Sequence, residues 1–342
     1  MTTSSIRLTS PHELLAVVPY LLGFIPANSL VSLRLSNNRL GLAQRLDLPR
    51  HGDAHDVGLA LMLSLLKEKP EAVILIGYED NKGESLSALE ALTTALNSHS
   101  ISVHDRIVVR DGRWRSLDCH NPNCCPAEGS PVPKPTEVPG VVAEFVGQGV
   151  SPHPDRESLA KQVAPGPQAA AVASLIRSKQ EAGQGAPIPR AELFAAWPRI
   201  LDPDGPVITV EDAALAAMSL LDIEVRDALV AWLCPGTLPL DELGKECLPL
   251  LSALERGGWV VGTGQASTGP KSGVPHRLIG LCAMLPDHLA APALSVLASV
   301  TWWLGDGALA RVALARAMRC APAYRLALLL EQMVDLAIRP GR

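Results

Sequence analysis

Three cysteines in one short irregular stretch, Cys119, Cys124 and Cys125, are the residues of this sequence best suited to chemistry. A thiolate is at once a nucleophile, a redox group and a soft metal ligand. Zinc takes four nitrogen or sulfur ligands in a tetrahedron. The spacing Cys119-x4-Cys124-Cys125 lacks the usual C-x2-C knuckle. Adjacent cysteines point apart in most backbones, so only one of Cys124 and Cys125 is expected to reach Cys119, and His120 meets the same difficulty. A fourth ligand would come from a distant histidine, His12, His51, His104 or His153, and nothing in the spacing selects one. Three readings stay open: zinc bound through Cys119, Cys124 and Cys125, a redox or structural disulfide, or thiols that pin the loop by packing. Arg113 and Arg115 stand near enough in sequence to make a reactive thiol feasible.

The same stretch supplies two further candidates. Trp114 is a candidate wall for a binding site. Glu128, on the Pro126–Gly129 turn, is either an acid/base or ligand beside a Cys124 nucleophile, or the cap of its own turn. No catalytic residue is assigned.

Elsewhere the signatures are incomplete. Gly264 to Gly269 followed by Lys271-Ser272 nearly spells a phosphate-binding loop, but Pro270 intervenes and has no N–H for a phosphate. There is no G-x-S-x-G elbow, no H-E-x-x-H helix, no paired-carboxylate signature and no glycine fingerprint after the central strand. Gly305, Asp306, Ala310, Leu314, Ala317 and Pro322 resemble half of a tetratricopeptide repeat, without a second copy. Arg311, Arg316 and Arg319 on that helix are expected on its solvated side.

The elements that must position these groups fall into two kinds. Ser10-Pro11-His12-Glu13 is a helix start, with Ser10 as cap, Pro11 in the first turn and Glu13 completing a capping box; Pro19 should end or kink the helix. Strands are expected at 30–35 and 40–48 around Asn37-Asn38, at 72–77, at 103–110 and, across Asp111-Gly112, at 113–117. Helices at 54–66 and 85–96 separate them. The order ββαβαββ implies a mixed sheet flanked by helices. Beyond the cysteine loop, short helices are expected at 141–146 and from about 155 to 163. Longer ones follow at 168–182, 190–197, 209–220, 222–233, 240–255, 275–286, 289–303, 306–318 and 323–337. The fold class is therefore α+β or α/β. Residues 1–140 form the sheet domain, ending in the cysteine loop as a seam. Residues 141–342 form an all-helical domain with a repeat-like hairpin near 290–337.

Composition sets the outer limits. A chain of 342 residues with 47% hydrophobic and 19% charged residues is globular. A net charge of −5 makes nucleic acid an unlikely partner. The N-terminus has no basic start before an apolar core, and the apolar runs fall short of the ~20 residues needed to cross a bilayer, so no membrane is implied and the setting is expected to be cytoplasmic. Seven scattered cysteines are not a secreted disulfide framework, and Cys234, Cys247, Cys282 and Cys320 fit buried thiols in apolar helices.

Several patterns taken together carry a resemblance. They are Pro19-Tyr20-Leu21-Leu22-Gly23-Phe24 with Pro26 and Ser29-Leu30-Val31, Arg113-Trp114 with Ser116, Cys119 and Cys124-Cys125-Pro126, Val225-Arg226-Asp227-Ala228, and Trp303-Leu304-Gly305-Asp306. This chain resembles, over most of its length, the uncharacterised actinobacterial family DUF4192, a domain of unknown function. The resemblance implies a cytoplasmic protein of actinobacterial origin and transfers no catalytic residue. Trp114, Arg226 and Trp303 are its candidate binding or interface residues. The expected function is a non-enzymatic regulatory or interaction module with an unidentified protein partner and no cofactor beyond a possible zinc. The alternatives are an enzyme built on the Trp114–Glu128 loop with a cysteine or bound metal, and a nucleic-acid-associated protein using the C-terminal arginines.

Overall fold

The computed structural model describes residues 10–36, 39–49, 54–68, 70–147, 151–182, 188–239, 243–256, 273–336 and 338. The Asn37-Asn38 turn, His51 and the glycine-rich stretch 262–272 lie outside them. The chain divides into two compact units, residues 3–156 and the helical segment from 157 onward.

The first unit opens with helix α1 (Pro11–Leu22). Ser10 caps it, accepting the Glu13 N–H at 3.2 Å. Pro19 lies inside α1, which runs to Leu22 and stops at Gly23 with φ 76°. Proline removes a single i−4 bond, and here that loss falls in the final turn, where few bonds remain to disrupt. A six-stranded mixed sheet follows, in the order β2-β1-β3-β4-β5-β6. Its strands are β1 (Ser29–Ser36), β2 (Arg39–Asp47), β3 (Ala72–Tyr78), β4 (Ser102–Arg110), β5 (Arg113–Ser116) and β6 (Ser130–Pro131). Only β3 and β4 are parallel; the other pairs are antiparallel.

Helices α2 (His55–Glu68) and α3 (Leu86–Ser98) bury Leu61, Leu65, Leu89 and Leu92 against Leu30, Val73, Leu75 and Val108 on one sheet face. Gly58 lets them meet: a Cβ there would stand 2.3 Å from the Ala88 carbonyl oxygen. Asp111 and Gly112 both take positive φ, 51° and 67°, as a tight two-residue hairpin demands.

The sixth strand was not foreseen. After β5 the cysteine loop does not leave the sheet; it comes back to it. Ser130 pairs with Trp114 and Pro131 with Arg113, and the Val132 N–H reaches the Gly112 carbonyl at 2.9 Å. Two residues are too few to show alternation, which is why the pattern was silent. Helix α4 (Pro139–Gly147) packs on α1, with the Tyr20 and Phe145 ring centroids 5.3 Å apart.

The second unit is helical: α5 (Arg156–Lys161), α6 (Ala169–Ala182), α7 (Arg190–Leu201), α8 (Val210–Ser219), α9 (Ile223–Leu233), α10 (Leu248–Arg256), α11 (Gly273–Met284), α12 (Asp287–Leu304), α13 (Gly307–Cys320) and α14 (Arg325–Asp335). Thr209, Asp222 and Asp306 cap α8, α9 and α13. The helix expected over 240–255 starts only at Leu248, after a 3-10 turn at Lys245–Cys247. Helix α12 is buried at every position from 290 to 302, and forms a hairpin with α13 across Gly305.

One expectation for α13 fails. Arg316 is not on a solvated face; it is 2% exposed. Its guanidinium donates to the carbonyls of Val163, Cys282 (2.7 Å) and Leu285 (2.8 Å) and to the Asp287 carboxylate (3.0 Å). It thereby donates to carbonyls at the end of α11, where helix geometry runs short of intrahelical donors.

Candidate functional site

The loop from Leu117 to Gly129 is anchored at its start by Ser116. The Ser116 hydroxyl accepts the N–H groups of Asp118 (3.1 Å) and Cys119 (3.0 Å) and donates to the Asp105 carboxylate on β4. The Asp118 carboxylate takes the Arg106 backbone N–H at 3.0 Å and its Nε at 3.1 Å. Cys119 thus leaves β5 in a fixed direction.

A single tight turn then returns the chain. The Asn121 carbonyl accepts the N–H groups of both Cys124 (3.2 Å) and Cys125 (2.8 Å), and its side chain accepts the Asn123 N–H at 3.0 Å. Asparagine as cap with proline next is the chemistry of a helical first turn. In such a turn adjacent side chains diverge by only ~100°, and both can face the same point. The three Sγ atoms of Cys119, Cys124 and Cys125 all lie within 4.8 Å of one another, and those of Cys119 and Cys124 stand 3.2 Å apart. This corrects the expectation that vicinal cysteines would exclude one another. The signal that could have found it is Asn121-Pro122 ahead of the pair.

The thiols differ electrostatically. The Asn121 backbone N–H, then the Cys124 and Cys125 thiols, hold Cys119 below the usual thiol range. The hydrogen bond with Cys119 pushes Cys124 up to about 11. Burial raises Asp105 above the ordinary carboxylate range, and its charge opposes the Cys119 thiolate. Arg113 and Arg115 line a small cavity that none of the three cysteines lines. Among the described residues no histidine or carboxylate joins the thiols as a further ligand. His153 instead pairs through its backbone with Gly23 and Ile25.

Glu128 is not brought to the cysteines. The Arg113 Nε donates to the Glu128 carbonyl at 3.0 Å, which places Glu128 at the hairpin end of β5, whereas Cys119 hangs from the Ser116 end. Those ends are separated by roughly 10 Å of strand. Trp114 is 6% exposed, and strand alternation turns its indole to the sheet face opposite Arg113 and Arg115. Its Nε1 is buried without a partner among the described residues.

Two candidates belong to the helical unit and act as ties within it. The Arg226 guanidinium binds Asp227 and the Tyr324 hydroxyl (2.9 Å), with its Cζ 5.7 Å from the Tyr324 ring centroid. The Trp303 Nε1 donates to the Pro235 carbonyl at 3.2 Å. Cys234, Cys247 and Cys282 are buried thiols, and burial pushes Cys234 and Cys282 to about 12.

Sequence reasoning passed over Glu79. Its carboxylate, 6% exposed at the carboxyl end of β3, accepts the Gly83 and Ser85 N–H groups, the Ser85 hydroxyl (2.7 Å) and Arg110 (3.3 Å). It holds the turn into α3 and fixes Arg110. The only sequence trace is an acidic residue directly after an apolar strand.

Among the described residues, no helix is long and apolar enough to cross a membrane. No curated protein and no solved structure matches the chain. A family model described as domain of unknown function (DUF4192) matches residues 11–257 and 270–341, which takes in the sheet, the three-thiol loop and the helices. With most of its length matched, the chain belongs to the DUF4192 family.

Proposed function

We propose that this protein is a non-enzymatic regulatory or interaction module that binds one thiophilic metal ion, zinc by preference, through Cys119, Cys124 and Cys125. The observation that carries the reading is the convergence of three Sγ atoms within 4.8 Å. Zinc–sulfur bonds of ~2.3 Å hold tetrahedral thiolates about 3.8 Å apart, so small rotations of the side chains suffice. Thiolates favour zinc over hard cations. Three protein ligands leave a fourth position, which a partner's side chain or water fills. That open position is where the interaction reading and the metal reading meet. The enzyme alternative loses support because Glu128 stands at the other end of β5 from the thiols. The nucleic-acid alternative loses support because Arg311 is paired with Asp335 and Arg316 is buried. Buried free thiols suit a cytoplasmic setting, and the family resemblance suits an actinobacterial source.

The test is metal analysis of the full chain purified under reductant, followed by zinc titration against a chromophoric chelator. One equivalent of zinc, lost in Cys119→Ser and in Cys125→Ser, is the expected result. Absence of bound zinc, together with thiols that alkylate equally fast with and without added zinc, would sink the reading.

A second reading has its own observation, the 3.2 Å contact between Cys119 and Cys124. Attack of the Cys119 thiolate on an external disulfide, then of Cys124 on the mixed disulfide, joins the two sulfurs and releases the reduced thiols of the oxidant. A Cys119–Cys124 disulfide formed on titration with oxidised glutathione, in protein that binds no zinc, would favour it.

A further inference from the structure

The hairpin end of the sheet carries a cavity that shares no lining residue with the thiol cluster. Its volume is about 120 Å³, and it is lined by Lys82, Val108, Arg110, Arg113, Arg115 and Glu128 among others. Arg110 pairs with Arg113 across the β4–β5 ladder, and Val108 with Arg115, so three arginines share one face of this short hairpin. Like charges directly opposite each other on a sheet are destabilising. A chain of net charge −5 has no general need to gather cations in one place.

The nearby carboxylates compensate only in part. Glu79 takes Arg110 at 3.3 Å, and Asp111 approaches the same guanidinium at 3.4 Å. Arg113 spends its Nε on the Glu128 carbonyl, not on a carboxylate. Among the described residues, neither Arg115 nor Lys82 makes an ion pair. The cavity sits at the carboxyl ends of the parallel pair β3 and β4, joined there by the Glu79 N–H to the Val109 carbonyl at 2.9 Å. Crevices outside the carboxyl ends of parallel strands are the usual ligand sites of sheets of this kind. Gly129 completes the wall: its φ of 76° lets the returning loop press on β5, where a Cβ would stand 2.9 Å from the Trp114 carbonyl oxygen.

We infer that this cavity binds the phosphoryl group of a small phosphorylated ligand. A carboxylate is saturated by one arginine, whereas a phosphoryl dianion accepts from several cations at once and suits the planar fork of arginine. The volume admits one such group and leaves the rest of the ligand outside. Arg110, held by Glu79, is the positioned cation; Arg115, Lys82 and the remaining nitrogens of Arg113 are the donors not yet committed.

Calorimetric titration of the full chain with inorganic phosphate and with glycerol 3-phosphate, at fixed ionic strength against chloride, tests this. Saturable binding at one site is expected, weakened about tenfold by Arg115→Gln and by Lys82→Gln, each substitution removing a charge-assisted contact. Lys82 is exposed on a turn, so its variant keeps the test valid if Arg115→Gln fails to fold. Lys134→Gln, at an exposed site outside the cavity, is expected to bind as the parent does. No saturable phosphate binding, or binding unchanged in the folded variants, overturns the inference. So does binding confined to a single-stranded oligonucleotide that falls steeply with salt, which would mark a general polyanion surface.

Discussion

Cys119 and Cys124 occupy one hydrogen-bonded pair yet have opposite electrostatic fates. The Asn121 N–H and the neighbouring thiols stabilise the Cys119 thiolate and lower its pKa, while the hydrogen bond with Cys119 raises that of Cys124 to about 11. The reactive species is the thiolate, so a lowered pKa enlarges the reactive fraction at any pH below the ordinary value of ~8.5, and a raised one shrinks it. In chelator-treated, reduced protein Cys119 is therefore expected to be alkylated first by iodoacetamide, with its pH–rate profile displaced to lower pH and that of Cys124 to higher. Cys124→Ala removes one donor and should move the Cys119 profile back upward. Peptide mapping by mass spectrometry over about pH 6 to 10 reads both shifts. Equal rates at the two positions would show that the pair does not form in solution.

At the scale of elements, the cysteine loop depends on a sheet that in turn depends on how closely α2 and α3 can lie. Gly58 is the contact that decides it, because its missing Cβ would meet the backbone of Ala88, which cannot swing aside. Glycine inside a helix costs ~1 kcal/mol relative to alanine. In an open helix Gly58→Ala would therefore stabilise. Here overpacking of about 1–3 kcal/mol opposes that gain, and a net loss of stability is expected. Denaturant unfolding checks the sign: a stabilised Gly58→Ala protein would mean that the two helices stand further apart.

For the whole molecule, the chain divides into two units that are each compact in themselves. Arg316 is the tie on which the helical unit leans, since its removal takes a donor from the Val163, Cys282 and Leu285 carbonyls and from Asp287. Arg316→Ala is expected to cost about 3 kcal/mol, because buried carbonyls lose a donor while Asp287, whose side chain is 63% exposed, is left to solvent. Hydrogen exchange gives the sharper readout. Peptides from α11, α12 and α13 should lose protection while β3 and β4 keep theirs. Simultaneous loss in both units would instead show that the protein unfolds as one cooperative body.

Local chemistry made much of this fold legible in advance. Ser10 and Pro11 fix the start of α1, the apolar run 72–77 fixes β3, Asp111-Gly112 fixes the β4–β5 hairpin, and the spacing of small and apolar residues fixes α12 and α13. Each of these depends on interactions within a few residues, which periodicity and turn preferences report directly. What the tertiary structure decided depends on contacts between distant residues. The β6 pairing needs Ser130 to find Trp114, and the burial of Arg316 needs carbonyls from Val163 and Cys282. The same holds at the two sites. By itself the sequence determined that three thiols are close along the chain. The turn at Asn121, anchored from β4 through Ser116 and Asp105, decided that they are close in space. It was likewise the strand register, not the spacing of Arg110, Arg113 and Arg115, that turned three arginines onto one cavity.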